Sequence, residues 1–106
     1  MAKIIVTAQV EDATKWEEGF RTHGDLFRSQ TVSSPIDIAI NEGNEVALCM
    51  EVDDVDTYFQ ILESPATAEA MAFDGVKRET VKIFVFDRQF EIWILNLSEI
   101  DMTISV

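Results

Sequence analysis

EVALCMEVDDVDTYFQILE, residues 45–63, changes its hydrophobic period in the middle. Val46, Leu48, Met50 and Val52 alternate with Ala47, Cys49 and Glu51, the period of two that puts one set of side chains on each face of a strand. From Val55 onward the apolar positions are Val55, Phe59 and Leu62, with Tyr58 and Ile61 beside them, which is the stripe of an amphipathic helix. Asp53 or Asp54 stands at the change, where a carboxylate can accept from the free N–H groups of a first helical turn. The stretch therefore predicts a strand that runs into a helix over an aspartate. A weaker copy of the junction lies earlier, since VEDATKW at 10–16 echoes VDDVDTY at 52–58.

The flanking segments complete two similar halves. IIVTAQV, residues 4–10, sets Ile4, Val6, Ala8 and Val10 against Ile5, Thr7 and Gln9, a strand. A helix follows to about Ser29, capped by Asp12 or by Thr14, which with Glu17 fits a capping box. Gly19 and Gly24 inside it each cost about 1 kcal/mol relative to alanine. PIDIAI, residues 35–40, alternates as well, and NEGN at 41–44 joins it to the next strand as a β-hairpin. After residue 63, Ser64 and Pro65 restart a helix, because serine caps well and proline suits a first turn. ATAEAMAF continues that helix to DGV at 74–76, and ETVKIFVFD, residues 79–87, is the last clear strand. The order β-α-β-β-α-β predicts an α+β, ferredoxin-like sandwich over residues 1–90, both helical segments on one face of an antiparallel sheet. Residues 91–106 are too apolar for a free tail and predict an extra strand against this chain or a partner.

Composition narrows the function classes. The chain has 106 residues, 47% of them hydrophobic, enough for one core. No segment approaches the roughly 18 unbroken apolar residues of a membrane span. Twenty acidic residues against eight basic give a net charge of −12. Such a field repels nucleic acid and anionic membranes, and no basic patch offsets it. The opening MAKIIVTAQV reads as a strand rather than a leader, and the lone Cys49 has no internal partner, so the expected compartment is the cytoplasm. Of the two sheet faces, the one carrying Ile4, Val6, Ala8, Val10, Ile36, Ile38, Ile40, Val46, Leu48, Met50 and Val52 should lie under the helices. The other, with Ile5, Thr7, Gln9, Asp37, Ala39, Ala47, Cys49, Glu51, Phe84 and Phe86, is too apolar for open solvent, which predicts a homodimer through it.

VEDATKWEEGFRTH at 10–23, EVDD at 51–54 and ILESPATAEAMAFDGV at 61–76 resemble the dimeric α/β-barrel superfamily, which includes the antibiotic-biosynthesis monooxygenases. The resemblance covers about residues 3–87. It implies two sheets packed face to face in a dimer and small molecules bound between sheet and helices. It spans cofactor-free oxygenases, isomerases, haem-handling enzymes and proteins with no known reaction. Haem-binding members take an axial histidine from the second helical region, and residues 54–73 contain none.

His23 is the sharpest candidate for chemistry. Trp16, Phe20, His23 and Phe27 recur at steps of four, three and four, so the only histidine sits in an aromatic stripe. Its imidazole can take a proton from a phenolic or enolic substrate, the step that makes such a substrate electron-rich for oxygen. The competing reading is a core or half-exposed histidine with a structural hydrogen bond. Trp16, Phe20, Phe27, Met50, Phe59 and Met71 would line a pocket for a small apolar or aromatic ligand, although the same spacing serves plain core. Strand alternation puts Cys49 on the face away from His23, and the acids Asp53, Asp54 and Asp56 lack the spacing of a calcium loop. No metal and no cofactor is called for. The sequence leaves open a small-molecule binding protein, a cofactor-independent monooxygenase or isomerase, and a non-catalytic interaction dimer.

Overall fold

The structure, a computed structural model, describes residues 1–92. Strand β1 (Ala2–Gln9) leads into two short helices, α1 (Ala13–Phe20) and α2 (Gly24–Ser29). A hairpin of β2 (Asp37–Asn41) and β3 (Glu45–Val52) follows, then helices α3 (Val55–Leu62) and α4 (Pro65–Phe73) and strand β4 (Lys82–Val85) after a 3-10 turn, Arg78–Thr80. The sheet order is β2-β3-β1-β4, antiparallel throughout, with β1 paired to β3 through Ile4↔Met50 and Val6↔Leu48 and to β4 through Val6↔Ile83. This is the ferredoxin-like arrangement that the order of elements predicts. The extension expected over 91–106 lies, but for its first two residues, outside the described residues.

The helices cover the face carrying Ile4, Val6, Ala8, Val10, Val46, Met50 and Val52, all buried. One cluster gathers Ala8, Val10, Val46, Trp16 and Phe20; a second gathers Ile4, Val6, Met50, Val52 and Tyr58. Ile40 departs from the expected pattern. It is 44% exposed because it lies near the end of the edge strand β2. On the opposite face Phe84 and Phe86 are 57% and 50% exposed, and Ile5, Thr7, Ala47 and Cys49 are half-buried.

The expected single helix to Ser29 is two helices. Helix α1 ends at Phe20, where Thr22 folds back so that its N–H and its hydroxyl both donate to the Gly19 carbonyl. The break leaves His23 as the residue before α2. Asp12 rather than Thr14 caps α1, accepting from the N–H groups of Thr14 and Lys15 at 3.0 and 3.2 Å. Asp54 caps α3, and Ser64 followed by Pro65 starts α4 as the sequence indicates. Hydrogen bonds from Thr57 hold the Asp54 carboxyl below the usual carboxylate range.

The hairpin turn and the start of α1 are joined by one residue. Asn44 has φ 59°, in the left-handed region that asparagine tolerates better than most residues. Its Oδ1 accepts from the Ala13 N–H at 3.0 Å, and its carbonyl accepts from the Val10 N–H at 2.9 Å. Asn44→Ala loses both the tolerated conformation and the side-chain bond, and chemical denaturation should show a loss of about 1–3 kcal/mol. Asn44→Gly, which keeps the backbone freedom, should lose about half as much. Equal losses in the two variants would show that the bond to Ala13 carries the whole effect.

Candidate functional site

The break between α1 and α2 turns His23 toward the C-terminal end of α4. There its Nε2 lies 3.0 Å from Asp74 Oδ2. With the carboxylate ionised, Nε2–H donates and Nδ1 is left as the basic nitrogen of the ring. Asp74 caps the C-terminus of α4, and the chain leaves the helix through Gly75 at φ 75°, with Gly75 N–H and Val76 N–H closing on the carbonyls of Ala72 and Met71.

This is a poor place for an anion. The Asp74 side chain is only 4% exposed, and it sits at the negative end of a helix. Its second oxygen, Oδ1, is buried and accepts no hydrogen bond among the described residues. Burial pushes the carboxyl above the usual aspartate range, against the opposing pull of His23. Oδ1 fits because residue 19 has no side chain: a Cβ built on Gly19 would overlap it. An incompletely paired, buried acid beside a histidine at a cavity is a candidate functional pair, a pattern that structural ion pairs share.

The pair borders a cavity of about 80 Å³ between the helices and the sheet. Val6, Ala8, Val46, Leu48 and Met50 form its floor. Trp16, Phe20, Leu26 and Phe27 form one wall; Tyr58, Leu62, Ala70 and Met71 face them, with Val76 and Val81 closing the side. The aromatic stripe survives the helix break, with ring centroids 4.9 Å apart for Trp16 and Phe20 and 4.7 Å for Phe20 and Phe27. Besides His23 and Asp74 the polar lining is Gln30, Thr67 and the Tyr58 ring with its hydroxyl, whose ionisation burial pushes up to about 12.

Of the residues singled out in the sequence, the structure brings together His23, Trp16, Phe20, Phe27, Met50 and Met71 around this cavity. It does not bring in Phe59, which packs edge-on against Tyr58 and leaves the lining to that residue. Asp74, Gln30 and Thr67 were not singled out. Asp74 reads in the sequence as part of a helix stop, and its partner stands 51 positions away. Among the described residues no three side chains from histidine, cysteine, aspartate and glutamate gather to hold a metal ion, and no helix is long and apolar enough to cross a membrane.

Neither a family model nor a curated protein matches the chain. Solved structures do match in fold. A protein from Bordetella bronchiseptica assigned as an antibiotic biosynthesis monooxygenase superposes with a TM-score of 0.66 at 12% identity, over 84% of this chain and 97% of its own. SnoaB from Streptomyces nogalater, a cofactor-independent oxygenase, superposes at 0.62 with 14% identity, over 86% and 95%. Rv0793 from Mycobacterium tuberculosis gives 0.56 at 16% identity, over 85% and 96%. At these identities the likeness shows a shared fold.

Gly19 and Asp74 supply a test of the site's geometry. In an ordinary helix interior Gly→Ala stabilises by about 0.5–1 kcal/mol. Gly19→Ala should instead destabilise, by about 1–2 kcal/mol, because the new methyl displaces a buried side chain. In an Asp74→Ala background the same substitution should regain its ordinary, stabilising sign. Asp74→Asn should hold or gain stability at neutral pH. The folded-state pKa of Asp74 is raised, so its contribution is largest below the unfolded pKa and declines as pH rises through the folded one; the asparagine removes that decline. Denaturant midpoints across the acid range measure both effects.

Proposed function

We propose that the chain binds a small, apolar or aromatic molecule between helices and sheet, and that His23, positioned by Asp74, takes a proton from a phenolic or enolic hydroxyl of that molecule. The observation that carries this reading is the His23–Asp74 contact on the border of an otherwise apolar cavity. The proton passes to Nδ1, and the carboxylate that accepts from Nε2–H stabilises the imidazolium that forms. Removing the proton leaves an electron-rich anion in apolar surroundings, the state from which direct reaction with oxygen or isomerisation proceeds. A cofactor-independent monooxygenase is therefore the enzyme activity to test first, and the likeness to SnoaB supports that order of testing.

Cavity size limits the ligand. An apolar cavity of about 150 Å³ holds benzene. At about 80 Å³ this one suits a single ring, and only with some movement of the half-buried Leu26, Phe27 and Met71 in its walls. The chromogenic one-ring probe is 4-nitrophenol, whose anion absorbs in the visible. At a pH below its ionisation in water, the wild-type protein should raise the anion's absorbance on binding. His23→Ala should abolish that rise and Asp74→Asn should diminish it. A probe that binds with no change in its ionisation, or one that ionises equally in His23→Ala, sinks the base role.

The reading includes a homodimer through the open sheet face. Phe84 and Phe86 stand exposed there beside Ile5 and Cys49, an apolar surface of the kind that subunit contacts bury. Sedimentation should give twice the chain mass, and Phe84→Asp with Phe86→Asp should give the single mass with the fold retained. A wild-type monomer at tens of micromolar would remove this part of the proposal.

A further inference from the structure

Gln30 is the most deeply buried polar residue of the described chain, at 2% exposure, and it borders the same cavity as His23. It stands at the opposite end of α2 from His23. The helix stops there by force. Thr31 has φ 66°, a left-handed conformation that a β-branched residue rarely adopts. Thr31 N–H and Val32 N–H close the last turn on the carbonyls of Arg28 and Phe27, each at 3.0 Å. The Thr31 carbonyl and hydroxyl accept in turn from the N–H groups of Asp53 and Asp54, at 2.9 and 3.0 Å. The end of α2, and Gln30 with it, is thereby tied to the junction of β3 and α3.

The direction of the Gln30 amide follows from its neighbour. Thr67 Oγ1 donates its single proton to the Ile61 carbonyl at 2.5 Å, so toward Gln30 it can only accept. Gln30 Nε2 donates to it at 3.3 Å, the one side-chain hydrogen bond that Gln30 makes among the described residues. The carbonyl oxygen Oε1 therefore faces away from Thr67 and accepts no hydrogen bond among the described residues. Oε1 is not wholly enclosed, and Gln30 borders the cavity, so the oxygen is open to a donor that enters it.

We infer that Gln30 is a second anchor for the ligand: its Oε1 accepts a hydrogen bond from an O–H or N–H that the molecule carries opposite the hydroxyl facing His23. The inference rests on the proton-accepting role proposed for His23. His23 and Gln30 are seven positions apart, a helical rise of about 10 Å between their backbones. A single ring with hydroxyls at opposite positions, with a hydrogen bond of about 2.8 Å at either end, spans a comparable length. Leu26 and Phe27, midway along α2, supply the apolar wall between the two anchors. Gln30 is thus a specificity-determining residue, selecting one-ring molecules that are polar at both ends over those polar at one.

Calorimetric titration of the full-length protein under anaerobic conditions tests this with two molecules of nearly equal shape, 1,4-dihydroxybenzene and 4-methylphenol. The wild type should bind the dihydroxy compound about tenfold more tightly, the size of one added hydrogen bond. Gln30→Met, which keeps the volume, should level the two affinities by weakening the dihydroxy compound alone. Thr67→Val, which keeps the Gln30 amide but frees its orientation, should keep part of the preference even where it lowers stability, separating recognition from a purely structural clamp. His23→Ala should weaken both compounds. Equal wild-type affinities, or a preference that survives Gln30→Met, overturn the role of Gln30 while His23-dependent binding leaves the earlier reading standing. If neither phenol binds, or if His23→Ala changes neither affinity, both proposals fall.

Discussion

Asp74 puts a carboxylate where three physical effects oppose it: a helix C-terminus, almost complete burial, and a second oxygen without a donor. Much of the helical layer makes sense as what that carboxylate requires. Gly19 must lack a side chain, because Oδ1 occupies the space of its Cβ. The first helical segment must break after Phe20, because the break is what leaves His23 before α2 with its ring on Asp74. Removing one partner of such a contact strands the other.

Gln30 and Asp74, two buried polar residues of the cavity that each have an oxygen accepting no hydrogen bond among the described residues, are the C-caps of helices that close in the same way. In each, the next two N–H groups turn back onto carbonyls of the last turn, through Thr31 and Val32 after Gln30 and through Gly75 and Val76 after Asp74. A helix closed in this way has a defined last residue and little freedom to fray. The chain then anchors itself on the sheet, as Val32 bridges Val52 and Val76 bridges Val10. Polar groups that would be mobile on ordinary loops are in this way held at fixed points above the sheet, which is how a small domain can pre-organise a site.

The strands and the helix starts were legible in the sequence because each depends on neighbours in the chain. Alternation along 46–52 sorts the faces of β3, and Asp54 and Ser64 cap helices with hydrogen bonds spanning three residues. The break at Arg21–His23 was hidden for an instructive reason. Trp16, Phe20 and Phe27 keep their stripe across it, and the rings still pack together at a tilt, so hydrophobic period alone cannot reveal that the backbone between them has turned. Asp74 was hidden because its role is set by contacts with Gly19 and His23, both more than fifty positions away. Gly19 was visible only as a defect in a helix. The exposure of Ile40 likewise depends on which strand becomes the sheet's edge, a property of topology that alternation does not encode.

The energetic balance also bears on why the polar groups are present at all. A domain of this size has a net stability of about 5–15 kcal/mol. A buried polar atom left without a partner costs about 1–3 kcal/mol, so Asp74 Oδ1 alone is a substantial fraction of that margin. An apolar residue at position 74 would fill the same space against Gly19 or its alanine replacement, and the surrounding lining of leucine, valine, methionine and aromatic side chains would accept it. A fold that needed only a packed helical layer would be better served by that exchange. The carboxylate is instead retained beside the chain's single histidine, on the border of its apolar cavity, and held by a helix end that is closed by hydrogen bonds. The cost in stability thus falls at the helix end beside His23, and the redundantly bonded framework around it bears the loss.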